Sequence, residues 1–358
     1  MSAGNITSTG DQSGLAVIAS HMKTFSMVIY CIVFILGTLG NGLVIYVTGF
    51  RMKRTVNSVW FLNLALADFL FTAFLIFSII QLSTETWHFG IHMCKLHNFV
   101  ANVNMFASVF LLTAISLDRC LSIWVVVWAQ NKRNVRKVQL ICLGIWIAAA
   151  GCSIPYATFR TVSVRNGKAQ CGYSGNTRPV HLLGLLILRV VLGFLIPFLV
   201  ILVSYVAIGI RARRLQRTRS KRSRRIIFSI IFAFFICWLP IHIFSFIELI
   251  HAQNENIMEI ILIGGRLSVA LAFFNSCLNP ILYVFMCEEF QTKLQQSICF
   301  VLESALAEDH LSFTSSRSLS SQFARITRKS DSTAPDKKAE GVTLTSTDSK
   351  AVFTDETG

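Results

Sequence analysis

Charged residues are scarce in this chain, and they are missing altogether from long parts of it. Asp, Glu, Lys and Arg make up 14% of the 358 residues, whereas soluble domains contain about 25%. Apolar residues make up 53%, and phenylalanine alone occurs 29 times. Such a chain would leave much apolar surface in water, which argues against a pair of soluble domains. No nucleophile motif is present and the eight histidines are scattered, so the sequence predicts no enzyme.

Seven stretches lack charge for long enough to cross a bilayer, which takes about 20 helical residues. Six of them carry no charge, and one carries Asp68 alone. They are Thr24–Phe50, Val59–Gln81, Leu96–Leu117, Val138–Phe159, Val190–Ile210, Ile226–Ile247 and Leu267–Cys287. The strand-like alternation of a membrane barrel is absent. The sequence therefore predicts an all-α membrane protein with a seven-transmembrane helix bundle.

The formal net charge of +15 would suggest a nucleic-acid partner, but the positions of the charges indicate a different role. The loops 51–54, 132–137 and 211–225 hold sixteen Lys and Arg residues and no acid. All three lie on one side of the membrane, which the positive-inside rule assigns to the cytoplasm. The N-terminus is then outside, and the basic loops form a docking surface at the inner leaflet.

These assignments divide the chain into four segments. We expect an extracellular tail over 1–23, the membrane domain over 24–287, a short amphipathic helix over 288–302 and a disordered cytoplasmic tail over 303–358. Asn5 begins an Asn-Ile-Thr glycosylation triplet in the extracellular tail. Residues 1–21 lack the pattern of a signal peptide, so the first span is expected to act as a signal anchor.

Two of the ten cysteines fall on the outer side. Cys94 lies at the outer end of span three, and Cys171 lies in the loop between spans four and five. Because the outside is oxidising, the two can form a disulfide that ties this loop to a central helix. The alternative is a pair of free thiols.

Polar residues inside spans are candidates for function, because lipid disfavours them. Asp68 lies in the middle of span two. Asn104 and Ser108 are four residues apart on span three, and Asn275 and Asn279 repeat that spacing on span seven. One carboxylate with hydroxyl and amide oxygens suits a small hard cation such as Na⁺. The alternative is a hydrated polar network that only holds the helices together.

Arg189 is the most informative single residue. It lies ten residues after Pro179, about 15 Å down a helix, which is too deep to reach the outer surface easily. It should face the bundle interior and seek an anion. That anion is either a ligand or Glu248, at the outer end of span six.

The spans carry motifs that resemble those of the rhodopsin-like (class A) G-protein-coupled receptors. The likeness covers about residues 24–302, with one motif in each span, in order. The motifs are Gly40-Asn41, Leu64-Ala65-Leu66-Ala67-Asp68, Asp118-Arg119-Cys120, Trp146, Pro197 with Tyr205, Cys237-Trp238-Leu239-Pro240 and Asn279-Pro280-Ile281-Leu282-Tyr283. Because all of them occur in sequence, the resemblance is very specific.

Within that family the chain looks like the chemoattractant branch. Trp87-His88-Phe89-Gly90 supports this, and Asn104-Met105-Phe106-Ala107-Ser108 looks closest to type-2 prostaglandin D2 receptors, ahead of chemerin-type and formyl-peptide receptors. The resemblance implies an extracellular anionic ligand, with a carboxylate lipid favoured over a chemotactic peptide. The implied ligand-binding residues are Arg189, Arg160, Tyr173, Glu248 and Trp238. Ile241 departs from the pattern, since a tyrosine is expected beside Pro240.

The resemblance also implies a mechanism at the plasma membrane. Arg119 would be released from Asp118 on activation, Tyr205 and Tyr283 would support the active state, and an inhibitory-type heterotrimeric G protein would bind. The five buried polar residues above would hold allosteric Na⁺ in the inactive state. Receptor kinases would phosphorylate the tail for arrestin at Ser312, Thr314, Ser315, Ser316, Ser318, Ser320 and Ser321.

Two alternatives remain at this stage. Val126-Val127-Trp128 departs from the usual second cytoplasmic loop, which leaves open a non-signalling scavenger of the same fold. A transporter or channel would need charged residues along a path through the bundle, and the spans offer too few.

Overall fold

The computed structural model describes residues 7–125, 131, 133–165, 167–214, 220–251, 257–286, 292 and 295, with backbone alone for 7–13, 212–232 and 282–286. Among these residues, seven helices are long and apolar enough to cross a membrane. They are α1 (Thr7–Tyr46, followed by a π-helical turn Val47–Arg51), α2 (Val56–Thr84), α3 (Gly90–Trp124), α4 (Val135–Thr158), α5, α6 (Ser220–His251) and α7 (Met258–Met286). The fifth helix, α5, combines Pro179–Val190, a π-helical turn Val191–Leu195 and Ile196–Arg214.

All seven helices begin before the charge-free stretches do, and three of them begin nine or more residues earlier. The first, α1, begins at Thr7, inside the predicted tail, because no proline interrupts the chain before the apolar run. The fifth begins at Pro179, which suits the first turn of a helix since its missing N–H would be unpaired there anyway. The seventh begins at Met258. A helix inside a bundle can contain charged residues such as Arg266, whereas the prediction accepted only residues without charge and therefore began at Leu267.

Side chains cap the N-termini of two helices, α2 and α4, on the side of the basic loops. Thr55 and Ser58 form a capping box at α2: the Ser58 N–H donates to Thr55 Oγ1 at 3.2 Å, and the Thr55 N–H donates to Ser58 Oγ at 2.8 Å. At α4, the Lys137 N–H donates to Asn134 Oδ1 at 2.9 Å. Both caps satisfy backbone donors that have no partner within the helix.

A two-stranded antiparallel hairpin lies between α4 and α5. Its strands are β1 (Arg160–Arg165) and β2 (Lys168–Tyr173), and the turn between them uses Gly167 at φ +75°, a conformation that glycine tolerates best. The predicted disulfide is confirmed: Cys94 of α3 is bonded to Cys171 of β2. We call this end of the bundle the hairpin end and the end with the basic loops the basic end.

Glu85 connects the hairpin to α1 and α2 through ion pairs. Glu85, the residue that caps α2, forms ion pairs with Lys23 of α1 and Lys168 of β2. Hydrogen bonds and charge from Lys168 first, and Lys23 second, lower the pKa of Glu85 to about 2. The Trp87 N–H also donates to the Ala169 carbonyl at 2.7 Å, so the hairpin has a third attachment.

Glycines allow close helix contacts inside the bundle. A β-carbon added at Gly264 of α7 would overlap the ring of Phe244 on α6, and one added at Gly37 of α1 would lie 3.1 Å from Thr72 Cβ on α2. Lipid is as apolar as the side chains, so close packing of this kind is what holds membrane helices together.

Candidate functional site

The π-helical turn in α5 directly follows Arg189. This arginine is the last residue but one of the segment Pro179–Val190, and the turn begins at Val191. Single π turns inside helices often mark functional positions. Arg189 Nε donates to Met105 Sδ of α3 at 3.1 Å, so a strong cationic donor is matched with a weak sulfur acceptor.

Glu248, the predicted alternative partner of Arg189, forms no described ion pair with it. Glu248 is exposed near the hairpin end of α6, and the ion pairs among the described residues involve only Glu85 and Asp118 as acids. A structural pair between Arg189 and Glu248 is therefore wrong. The charge of Arg189 is left without a described acid near it.

Two tyrosines and a second arginine lie within electrostatic range of Arg189. Tyr156, Tyr173 and Arg160 are close enough to interact with it electrostatically. Tyr156 is buried and donates to the Leu185 carbonyl at 2.6 Å, which fixes its hydroxyl beside α5. We call Arg189, Arg160, Tyr156 and Tyr173 the arginine site.

The hairpin holds the second arginine in place. Arg160 and Tyr173 are register partners at the open end of the hairpin, and the guanidinium carbon lies 3.8 Å from the centroid of the tyrosine ring. This is a cation–π contact, which orients the arginine without neutralising it. Arg160 Nε is buried and has no hydrogen-bond partner in the described part of the chain. The arginine site therefore brings together two guanidiniums, with unused donor capacity on Arg160.

The apolar floor of the arginine site includes the predicted Trp238. It belongs to one buried cluster with Phe106, Phe194 and Ile241, and its indole N–H has no partner among the described side chains and backbone. Ile241, which replaces the expected tyrosine, is packed in the same cluster and adds no polar group.

The structure brings four of the five predicted cation-site residues, all but Asn275, together deeper in the bundle. Asp68 is fully buried; Asn279 Nδ2 donates to its Oδ2 at 2.6 Å, and Ser108 Oγ donates to its Oδ1 at 3.4 Å. The same Ser108 hydroxyl lies 2.8 Å from Asn104 Oδ1, so its single proton is shared between the two acceptors, and Asn104 Nδ2 donates to Ser276 Oγ at 3.3 Å. We call these five residues the Asp68 cluster. Asn275 is buried on the same helix as Asn279.

The chemistry of the Asp68 cluster fits a monovalent cation. It offers one carboxylate with hydroxyl and amide oxygens, the hard ligands that Na⁺ prefers. Among the described ion pairs none involves Asp68, so no side-chain cation balances its charge there. The described residues contain no group of three or more His, Cys, Asp or Glu that would suit a transition metal.

At the basic end, Asp118 has a partner that the sequence analysis did not name. Arg133 Nη2 lies 2.7 Å from Asp118 Oδ2 and Arg133 Nε 2.9 Å from Oδ1, and Nη2 also donates to Asn57 Oδ1 at 2.9 Å. The acid is thereby tied to the start of α4 and to α2. Arg119 is half-buried next to it. Tyr205 is buried against α3, whereas the side chain of Tyr283 is not described.

Some polar residues near the arginine site were missed by sequence reasoning. His242 of α6 is buried within electrostatic range of Arg189, and His97 of α3 within range of Arg160. Arg266 of α7 is hydrogen-bonded to Tyr30 of α1. The four-residue spacing from Trp238 to His242, which puts both on one face of a helix, was the available signal for His242.

Several predicted features lie outside the described residues. These are the glycosylation site Asn5, the altered loop 126–128, nearly all of the amphipathic segment 288–302, and the tail sites 312–321. They stay predictions.

A bundle of seven membrane helices, closed at one end by a disulfide-tied hairpin over a buried arginine site, defines a multi-pass membrane receptor. Comparison with known families agrees: residues 40–283 match the 7 transmembrane receptor (rhodopsin family), and the chain belongs to that family. Members of this family are G-protein-coupled receptors rather than enzymes, located in the plasma membrane.

Similar curated proteins identify the branch. The chain is 42% identical to chemerin-like receptor 1 of Homo sapiens, over 82% of this chain and 83% of the relative. It is 39% identical to formyl peptide receptor 2 of Mus musculus, over 82% and 88%. It is 38% identical to the C3a anaphylatoxin chemotactic receptor of Danio rerio, over 81% and 80%. The chemoattractant branch is confirmed, while the nearer likeness to prostaglandin D2 receptors stays a prediction.

Proposed function

We propose that this protein is a chemoattractant receptor whose extracellular ligand presents a free carboxylate to Arg189, and that it signals through an inhibitory-type G protein. One observation carries the proposal: a guanidinium in the membrane interior has a thioether as its described hydrogen-bond acceptor. Placing a charge there without an anion is costly, so such residues mark ligand or ion sites by default. A ligand carboxylate would supply the missing charge and accept a bidentate pair of hydrogen bonds.

The rest of the arginine site supports the same ligand chemistry. Arg160 brings a second positive charge close to Arg189, and like charges repel unless an anion lies between them. Tyr173 supplies a hydroxyl on the hairpin above. The hairpin end faces outwards in this proposal, because the disulfide needs an oxidising compartment and the basic loops favour the cytoplasm.

A peptide carboxylate is the first candidate ligand. The relatives are named for chemerin, C3a anaphylatoxin and formyl peptides. A carboxylate lipid such as prostaglandin D2 is the second candidate, favoured by the apolar residues Phe106, Phe194 and Leu185 around the arginine site. Both classes share the acid group, on which Arg189 acts.

We also propose that the Asp68 cluster holds Na⁺ in the inactive receptor. The supporting observation is a fully buried carboxylate that hydroxyl and amide groups contact. The cation would balance the charge of Asp68, and its loss on activation would free Asn279 and Ser108 to rearrange between α7 and α3.

The test of function uses cells that express the receptor and measures ligand-dependent inhibition of cyclic AMP. Formylated peptides, chemerin-derived peptides and prostaglandin D2 are each supplied as the free acid and as a neutral ester or amide. Arg189→Ala should reduce the potency of an active acid by more than about 100-fold, since a charge-assisted hydrogen bond contributes about 1.5–3 kcal/mol and the arginine can make two. The neutral form should change little.

Arg178→Ala is the matched control, because Arg178 is an exposed arginine at the start of α5 outside the arginine site. Equal losses for the acid and its neutral form in Arg189→Ala would show that this arginine has only a structural role. Uptake of ligand with no change in cyclic AMP would identify a scavenger instead of a signalling receptor.

A further inference from the structure

His242 is a buried polar residue for which the described surroundings provide no hydrogen-bond partner. It lies on α6 and is 3% exposed, and neither of its ring nitrogens has a hydrogen-bond partner among the described residues. The centroid of its ring is 5.2 Å from that of Phe194. An imidazole always carries at least one N–H donor, so the fold buries a donor without using it.

The charge near His242 comes from Arg189. The two side chains are close enough to interact electrostatically, and no described acid forms an ion pair with either. A lone buried donor beside a buried cation is unfavourable in two ways, through desolvation and through the positive field of the guanidinium. A single anion placed between them would remove both penalties.

We propose that His242 and Arg189 form one anion subsite between α6 and α5, in which the ligand carboxylate accepts a hydrogen bond from each. The inference rests on the proposed function, and it adds a second donor and the direction in which the ligand enters. Because His242 lies one helical turn from Trp238, the acid end of the ligand enters first and comes to rest near the buried apolar cluster. The ligand is therefore a molecule with a terminal carboxylate.

This arrangement gives α6 a direct contact with the charged end of the ligand. Arg189 lies on α5 and Arg160 on the hairpin, so His242 would add a contact with α6 to the contacts that these two arginines make. Binding of the acid would then bias the position of α6, whereas a neutral analogue held by apolar contacts alone would not.

The experiment uses full-length receptor purified in detergent, with 4-phenylbutyrate as the probe and 4-phenylbutyramide as its neutral match. The rise in thermal midpoint is measured against probe concentration. The parent should be stabilised by the acid at lower concentrations than by the amide. His242→Leu should raise the concentration of acid needed for half of the effect about ten-fold and leave the amide response unchanged.

Two further results separate a ligand role from a packing role. Without any probe, His242→Leu should melt at a higher temperature than the parent, because an unsatisfied donor has been replaced by a side chain of similar size. His242→Gln, which keeps an N–H donor, should retain most of the response to the acid. His251→Leu, at an exposed position on the same helix, is the control and should behave as the parent.

The outcomes distinguish failure of this inference from failure of the proposed function, on which it rests. If Arg189→Gln loses the acid response while His242→Leu keeps it, the shared subsite is refuted and the function proposal stands. If the parent does not prefer the acid over the amide, both are refuted. If His242→Leu lowers the melting temperature and weakens acid and amide alike, His242 is a packing residue and the inference fails.

Discussion

Substitution of Gly264 by alanine tests how closely α6 and α7 approach each other. An added β-carbon would overlap Cζ and Cε1 of Phe244 and lie 2.8 Å from Cδ1, so the whole ring would have to move. Forcing an extra carbon into a packed contact costs about 1–3 kcal/mol. Against this stands a gain of about 0.5–1 kcal/mol, because alanine favours a helix more than glycine does. We expect a net loss of about 1–2 kcal/mol.

The neighbouring glycine provides the control. A β-carbon at Gly265 meets no atom within 4 Å, so Gly265→Ala should keep the helical gain and melt slightly above the parent. Thermal melting of purified receptor compares the two variants directly. Combining Gly264→Ala with Phe244→Ala should remove the penalty, because the colliding ring is gone. A melting temperature for Gly264→Ala as high as that for Gly265→Ala would refute the close contact.

Two more predictions concern charged groups. Glu85→Gln removes a carboxylate whose pKa in the folded protein is lowered from its ordinary 4.5 to about 2. The stability that this carboxylate contributes is therefore fully present above pH 4.5 and is lost as the pH falls towards 2. The difference in melting temperature between parent and Glu85→Gln should therefore be constant from pH 7 to pH 5 and vanish near pH 2; a difference that persisted at pH 2 would contradict the ion pairs. Asp68→Asn should abolish the rise in melting temperature that NaCl produces relative to choline chloride, and an undiminished response to Na⁺ would remove the Asp68 cluster as the cation site.

The fold was largely predictable because lipid imposes a simple rule on the sequence. A span must avoid charge, and the six charge-free runs, together with the one that carries Asp68 alone, locate all seven helices. Helix ends were harder to predict. Arg189 and Arg266 lie inside helices, but a prediction that accepts only residues without charge begins these two helices after the arginine. The start of α1 at Thr7 was missed for a related reason: a polar segment can continue a helix that an apolar segment begins.

The site was predicted in part. Arg189 and Asp68 stood out because a charge inside a span is rare. His242 did not, since a histidine in an apolar run reads as a packed core residue until its nitrogens are shown to lack partners. The pair of Asp118 with Arg133 was also invisible, because the two residues are separated by a loop whose path the sequence does not reveal.

The π-helical turn Val191–Leu195 sets the angular phase between the two halves of α5. Sixteen residues separate Arg189 from Tyr205, and in an unbroken α-helix, at about 100° per residue, they would point about 160° apart. The one extra residue that a π turn takes up reduces this to about 60°. Arg189 can therefore contact Met105 while Tyr205 packs near Cys120 and Ile123, all on α3. Deleting one residue from the turn would convert it to ordinary α-helix and keep this phase, whereas an unbroken α-helix that kept all sixteen residues would rotate the half carrying Arg189 by about 100° against the half carrying Tyr205.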